Sequence, residues 1–446
     1  MQFLRMNSTS TASQTRLQMK PLAISVSSVL CAAWLWAAPA SVQASAEAAS
    51  QQAHALPTLQ SVVQAWLAKQ PEQQTLTGLE ALSAEYHSAS SSWLANGVNL
   101  SVRHESDALT DDTGFQSWET GVSMPLDFGE QSNAYGQMSE QTEKESTAFR
   151  TLLNWQTSLH VRRVIWELKT AEVAWQRSQQ NEGLVSALVE KVSELVNAGE
   201  SPQMDLVLAR QELAAAQQRT LQAQGQYQQW VDQYRYWSGF SQLPENMNEA
   251  SDARMTGVEE TSLAKFLERL AQHPLLLWES TQLEKRQAQK LLVQAQSKSR
   301  PELFVGAKSE EDDQTAARTS LMVEMSFPLG QPVAYRAQLA EQNQSVIEQR
   351  TQLKKTLQTL EVEATQAYQA WQQAQQLLVA SQQQVELAQQ SLEMAQKAYE
   401  LGETNIQTLL QVQKQALQAL MEVELQQVRV YQAYALLRQA LGISLT

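Results

Sequence analysis

Cysteine is almost absent: Cys31 is the only one in 446 residues, so no disulfide can form within the chain. Glycine and proline are scarce, at 15 and 11. A β-sandwich or a doubly wound nucleotide-binding fold needs many turns, and several compact domains need punctuation, so both are disfavoured. A mean hydropathy of −0.39 excludes a polytopic helical membrane protein. Catalytic signatures are missing: there is no GxSxG, HExxH, Walker loop or GxGxxG. The five histidines, His54, His87, His104, His160 and His273, stand without ligand spacing. No enzyme activity, cofactor or metal site is expected, and His160 and His273 read as structural. Basic charge is also short, 33 residues against 47 acidic ones, so nucleic acid is not an expected partner.

What the chain does have begins at its N-terminus. Arg5, Arg16 and Lys20, with no acid among them, precede an apolar run over residues 21–38 and then Val42-Gln43-Ala44. This is the pattern of a secretory signal peptide over residues 1–44. An uncleaved anchor is the rival reading; the small-residue exit without a basic stop favours cleavage. Cys31 falls inside this segment, and Leu30 before it is too large for a lipoprotein site. Removing three bases leaves 30 − 47 = −17 on an exported chain.

Sliding the sequence along itself reveals a duplication. Pro71 and Pro274 lie in AWLAKQPE and RLAQHPLL, Pro125 and Pro328 in VSMPL and MSFPL, Gly199 and Gly402 in ELVNAGES and AYELGETN, and each pair is 203 apart. A constant offset without gaps means two tandem copies of one unit, assigned to 45–257 and 258–446. A period this long is that of two pseudo-symmetric halves rather than a solenoid.

Each copy opens with helical periodicity, a short helix ending at the proline (58–69, 261–272) and a second running to about 94 or 298. The period then changes to two. Val98 to Arg103 and Trp118 to Met124 alternate apolar with polar, as do Leu303, Val305 and Ala307 with their neighbours, and Leu321, Val323, Met325 and Phe327 with theirs. One β-hairpin per copy is predicted, with the polar segments SDALTDDTGFQ and EEDDQTAAR as solvent loops. Long helices follow over 131–196 and 332–401. In the second, apolar or small residues run from Leu353 and Leu357 to Ala395 and Tyr399 in alternating steps of four and three, a heptad seam for a neighbouring helix. Both end at a glycine, Gly199 and Gly402, and restart after Ser201-Pro202 or Thr404, so each tip is a tight helical hairpin. Trp155, Trp166 and Trp371 fall on these helices and read as packing.

Two isolated hairpins with one apolar face are unstable in water, because four strands cannot close a barrel and leave both edges and the apolar side exposed. If several subunits pool strands and the apolar faces meet lipid, the alternation is that of an outer-membrane barrel, from which the helices project as a tube. That register points Asn99, Ser101, Arg103, Glu119, Ser123, Glu302, Lys308, Glu324 and Ser326 to the lumen, and Val98, Leu100, Val102, Leu321, Val323, Met325 and Phe327 to lipid. Trp93 and Trp118 flank the first hairpin, where they read equally as a membrane-interface belt or as packing.

This doubled order of helix, strand, strand, long helix, glycine turn and helix resembles the TolC-type outer-membrane efflux proteins, over the whole mature chain. The residues that carry it are 59–71 and 263–274, Arg300-Pro301-Glu302-Leu303, MSFPLG, and AYELGETNIQTLLQVQKQAL at a tip. The resemblance implies a mainly α fold with a membrane β-barrel: a homotrimer with a 12-stranded barrel in outer-membrane lipid, continued by an α-helical barrel across the periplasm. It implies a periplasmic adaptor and an inner-membrane pump as partners. It also implies a gate at the tip, since Tyr399 precedes Gly402 by three and Asp205 follows Gly199 by six, the positions where the family links its hairpins. The rival account is that Tyr399 belongs to the seam and Asp205 is a first-turn acid. Thr408 and Gln411 stand where some members have acidic rings, so a cation-binding constriction is not carried over. The Gln-Pro and His-Pro repeat starts and MPLDFG loosely resemble the heavy-metal branch, which leaves metals, drugs and other small solutes open as cargo. A periplasmic coiled-coil adaptor and a structural stalk are the rival functions; the first has one hairpin among glycine-rich β domains, and the second does not account for alternating strands.

Overall fold

Few helix breakers mean long helices, and the computed structural model of the chain has them. It describes residues 56–109, 114–244, 249, 267–312, 315–330 and 333–445; the expected signal peptide, the boundary at 257/258 and most of the helix expected over 261–272 lie outside these. The first repeat contains α1 (Leu59–Ala68), α2 (Gln73–Ser90), β1 (Asn99–Ser106), β2 (Gln116–Pro125), α3 (Glu130–Asn197) and α4 (Gln203–Ser238). The second contains a short 3₁₀ turn (Leu270–Gln272), α5 (Pro274–Gln296), β3 (Glu302–Asp312), β4 (Thr315–Ser326), α6 (Val333–Glu400) and α7 (Ile406–Ala440). Helices α3 and α6 have 68 residues each, about 100 Å of rod. Shifting 130–197 by 203 gives 333–400, so the two rods correspond end to end.

The same offset recurs in the core. In the first repeat Val161, Leu168 and Tyr234 pack with Val62 and Trp66 of α1. Their counterparts 203 residues on, Ala364, Trp371 and Leu437, pack with Leu270 and Leu276. Two equivalent apolar clusters thus sit at equivalent heights on the two rods. The seam of α6 faces α7 and α5, and its members are covered except at one step: Leu357 is 39% exposed while Thr356 is 7% exposed. A heptad drifts by ~20° against an α-helix, and here the buried stripe passes through the neighbouring threonine.

The tips close as the glycines demand. Gly199 and Gly402 have φ of 79° and 70°, a region that costs L-residues with a side chain. Glu200 N–H donates to Leu195 O at 2.8 Å and Glu403 N–H to Ala398 O at 2.8 Å, the six-to-one bond of a Schellman turn. Capping of the next helix differs from expectation. Asn405 rather than Thr404 caps α7, its Oδ1 accepting the Thr408 N–H at 2.9 Å. The Ser201 hydroxyl donates to the Asp205 carboxylate at 2.9 Å instead of capping the backbone of α4.

The four strands form one antiparallel sheet in the order β1-β2-β3-β4, so β2 and β3 join the hairpins of the two repeats. The second hairpin corrects the expected loop: EEDDQTAAR does not stay out of the sheet, because β3 reaches Asp312, β4 begins at Thr315 and the two pair. Polar composition does not stop a ladder from continuing, because the backbone pairs whatever the side chains. A register shift between Glu310 and Asp312 marks where the hairpin leaves its regular pleat.

A buried knot ties the C-terminus to the middle of α3. The Arg162 guanidinium donates twice to Glu249, at 2.7 Å each, and also to the side chain of Gln439 and to Ile443 O at 2.9 Å. Gln439 in turn exchanges two bonds of 2.9 Å with Trp155, one from the indole N–H and one to the backbone carbonyl. Both partners of the ion pair are almost wholly buried, and these four guanidinium hydrogen bonds are what keep that charge satisfied.

Candidate functional site

The sheet is inverted relative to a soluble protein. Residues paired directly across an antiparallel ladder share a face. One face therefore carries the rungs Leu100–Val122–Val305–Val323, Val102–Thr120–Ala307–Leu321 and Met124–Leu303–Met325. This apolar face is the open one: Leu100 is 73% and Leu321 78% exposed. The other face carries Arg103–Glu119–Lys308–Ser320, Ser101–Gly121–Gly306–Met322 and Asn99–Ser123–Phe304–Glu324, followed by Glu302–Ser326. All nine residues expected on the lumen side, Asn99, Ser101, Arg103, Glu119, Ser123, Glu302, Lys308, Glu324 and Ser326, share this polar face, where Ser117, Gly121 and Gly306 are buried. Charges there pair across strands, Arg103 with Glu119 at 3.6 Å and Lys308 with Glu310. Aromatics border the apolar face. Trp118, half exposed, stacks on His104 at 4.1 Å towards the hairpin ends; Trp93, Phe128 and Phe327 are exposed at the helix end.

Phe304 is the exception on the polar face. Its ring lies across Gly121 and Gly306, which are paired with each other. A Cβ at Gly306 would fall 2.8 Å from Cζ and 2.9 Å from Cε1, and one at Gly121 would come closer still. Glycine at both positions is what lets the ring lie flat.

Where sheet meets helices, two sequence motifs come together. Asp127 of MPLDFG accepts the Ser132 N–H at 2.8 Å and the Gln131 N–H at 3.2 Å, and pairs with Arg300 at 2.9 Å. Burial pushes this carboxyl up, but the two amides and the Arg300 charge outweigh it and hold it below the usual carboxylate value. Arg300 also donates to Ala295 O at 2.8 Å, and Leu126 N–H to Pro301 O at 2.8 Å. The carboxylate thus caps α3, favoured by the helix dipole, while it staples the two repeats.

At the tip, the expected hydrogen bond between Tyr399 and Asp205 is not made. Tyr399 lies on the seam, packed with Val192, Leu206, Ile406 and Leu409; its hydroxyl is buried without a partner, and Asp205 is occupied by Ser201. The seam placed the phenol where the first-turn acid does not reach it. The two hairpins are joined instead by Lys191 and Glu400, 2.7 Å apart and half exposed; the lysine's hydrogen bond and charge hold Glu400 below its ordinary value. Sequence reading passed over this pair, although Glu400 adjoins Tyr399 and Lys191 lies eight before Gly199. Above the tip, an open cleft of about 310 Å³ runs between α3, α4 and α7, lined by Arg177, Asn181, Glu212, Arg219, Gln413 and Lys414 among others.

Arg162 was also missed, and only a base on the inner stripe of an amphipathic helix could have signalled it. His273 is fully buried. Its Nδ1 accepts the Leu275 N–H at 3.1 Å, capping α5, and its ring meets Trp155 edge-on at 4.8 Å. Burial pushes its pKa down to about 4, so it is neutral. Among the described residues no helix is long and apolar enough to cross a membrane, and no group of three or more His, Cys, Asp or Glu could hold a metal ion.

Comparison with known proteins follows this geometry. Residues 268–443 match the family described as outer membrane efflux protein. Among solved structures, CusC is similar at 15% identity with a TM-score of 0.66, over 87% of this chain and 93% of that one. The outer membrane protein VceC of Vibrio cholerae shares 15% identity at a TM-score of 0.65, over 86% of this chain and 95% of that one. The open-state MtrE outer membrane channel of Neisseria gonorrhoeae shares 14% at 0.60, over 87% and 89%. No curated protein sequence matches the chain.

Proposed function

We propose, for a chain whose residues 268–443 match the outer membrane efflux protein family and whose fold is that of solved outer-membrane channels, that it is the outer-membrane channel of a tripartite efflux system. A homotrimer pools 12 strands into one barrel and passes small solutes from a periplasmic adaptor and an inner-membrane pump to the outside. The observation that carries this is the inverted sheet, whose aliphatic rungs lie open on one face while all its paired charges share the other. In water that arrangement is unfavourable; against lipid, with the polar face around an aqueous lumen, it is what a barrel wall requires.

The dimensions agree. From the rung of Trp118 and Thr319 to Phe327 is eight residues along β4, ~27 Å at ~3.4 Å each, or ~21 Å along the membrane normal at a strand tilt of ~40°. That is close to the ~25 Å apolar band of outer-membrane barrels, and the aromatic residues stand at its two borders. The edges of β1 and β4, unpaired among the described residues, are satisfied by neighbouring subunits. The tip cleft, mixed in polarity and flanked by helices, supports the adaptor as partner. On the polar face Glu105, Glu119, Glu302, Glu310 and Glu324 face Arg103, Lys308 and Arg318, 3 − 5 = −2 per protomer, which favours cationic cargo, metal or organic. Export is proposed to follow removal of residues 1–44.

The reading is tested by cysteine scanning of the trimer in outer-membrane vesicles. Cysteine at Ser101 or Ser326 reacts with a membrane-impermeant thiol reagent, and cysteine at Leu100 or Val323 only with a lipophilic one. The reverse pattern, or a soluble periplasmic monomer on fractionation, overturns it. Tolerance of a deletion strain to zinc, cobalt, cadmium, copper, silver and a drug panel identifies the cargo.

A further inference from the structure

The polar face is not uniform along its length. Towards the hairpin ends its two outer rungs hold Arg103, Glu119, Lys308, Glu105, Glu310 and Arg318, three bases against three acids, with pairs formed within the set. The three rungs nearer the helices hold no base at all. They carry Glu302 and Glu324, the hydroxyls of Ser101, Ser123 and Ser326, the amide of Asn99, and three apolar side chains, Phe304, Met322 and, at the helix end, Pro125. Glu324 lies directly across from Phe304, and Glu302 is two residues before it on the same strand and face. Among the described residues neither glutamate makes a salt bridge, while Glu119 and Glu310 of the outer rungs do.

An aromatic ring on a polar wall that projected into the lumen would narrow it. Here the ring lies down on Gly121 and Gly306, with one face against backbone and the opposite face turned from the sheet. Flat aromatic faces carry negative quadrupole potential and attract cations, most strongly when carboxylates stand beside them. Aromatic groups prefer offset stacking on such a face.

Resting on the channel reading above, we propose that Phe304 is a specificity-determining residue of this wall, a flat stacking step for aromatic organic cations in transit, with Glu302 and Glu324 supplying the charge. In a trimer there are three such steps at one height, set below a charge-balanced mouth. A solute that is both cationic and aromatic is retarded and concentrated there; a small inorganic cation passes with only the general field of the wall.

The test uses the full-length trimer in planar bilayers, with tetraphenylphosphonium as the probe. The wild type conducts potassium and is blocked reversibly by the probe. Phe304→Leu keeps an apolar cover on the two glycines without a π-face, and it weakens block about threefold to fivefold, read as the blocked fraction of each channel's own potassium current. Phe304→Tyr retains the block. If Phe304→Leu fails to give a heat-resistant trimer, Phe304→Met is measured in its place and the same loss is expected. Block unchanged by removal of the ring overturns this inference alone. A wild-type trimer that carries no current overturns the channel reading and this inference with it.

Discussion

Adjacent residues on β4 offer the sharpest perturbation, because Met322 and Val323 differ in face but hardly in height. Val323 belongs to the all-aliphatic rung Leu100–Val122–Val305–Val323 and lies four residues from Thr319 and four from Phe327, at the centre of the apolar band. A lysine at the midplane of an outer-membrane barrel costs ~2 to 4 kcal/mol, and a homotrimer carries three copies, so Val323→Lys is expected to destabilise the assembled barrel by ~6 to 12 kcal/mol if the terms add. Met322→Lys lies on the polar rung with Ser101, Gly121 and Gly306, where water meets the charge, and less than ~1 kcal/mol per copy is expected there. Urea-dependent folding into lipid vesicles, followed by tryptophan fluorescence and by the yield of heat-resistant trimer, reads the difference. Equal loss from both lysines, or a tolerated Val323→Lys beside a damaging Met322→Lys, refutes the assignment of faces.

Other predictions concern the helical tube. His273 has its pKa held by burial at about 4 against 6.5, so as pH falls from 6.5 towards 4 the unfolded chain gains a proton the folded chain refuses. Stability is therefore full above pH 6.5 and declines below it, by about 3 kcal/mol at most; His273→Asn, which keeps a cap acceptor for Leu275, is expected to flatten thermal unfolding curves across that window. Arg162→Ala leaves the buried Glu249 with only Arg438, 3.6 Å away, and is expected to cost ~1 to 3 kcal/mol in chemical denaturation, with Glu249→Gln in the same background recovering part of it. Because Tyr399 and Asp205 do not bond, the double replacement Tyr399→Phe with Asp205→Asn is expected to leave resting single-channel conductance unaltered; a rise in conductance would show that assembly brings the two together.

The elements most legible in sequence were those set by local rules. Glycine at 199 and 402 terminates a helix because few other residues take a positive φ there, and the alternation around Val122 and Val323 specifies faces because a slip of one residue would exchange them. What escaped was decided by competition among several local candidates or by distant packing. Thr404 and Asn405 are both caps by type, and the backbone presented Asn405 to the Thr408 amide. EEDDQTAAR is polar enough for a loop, yet it continues the ladder between β3 and β4, a pairing that its composition alone does not reveal. Tyr399 and Asp205 stood at the right separations along the chain, but side-chain reach across two hairpins is a tertiary quantity, and Ser201 was nearer. Arg162 and Glu249 are 87 residues apart, and no local pattern connects them.

The equal length of the two 68-residue rods makes the molecule a ruler with two matched scales. Deleting one residue from α3 alone would turn everything beyond it by ~100° and draw its tip back ~1.5 Å, parting Lys191 from Glu400. Deleting a whole heptad from α3 alone restores the angle to within ~20° but leaves the tips out of step by ~10.5 Å. Only paired heptad changes, made in both rods and in the returning helices α4 and α7, preserve the tip. The length of the paired helical hairpins is therefore adjusted in coiled-coil steps of ~10 Å, taken simultaneously in both copies of the repeat.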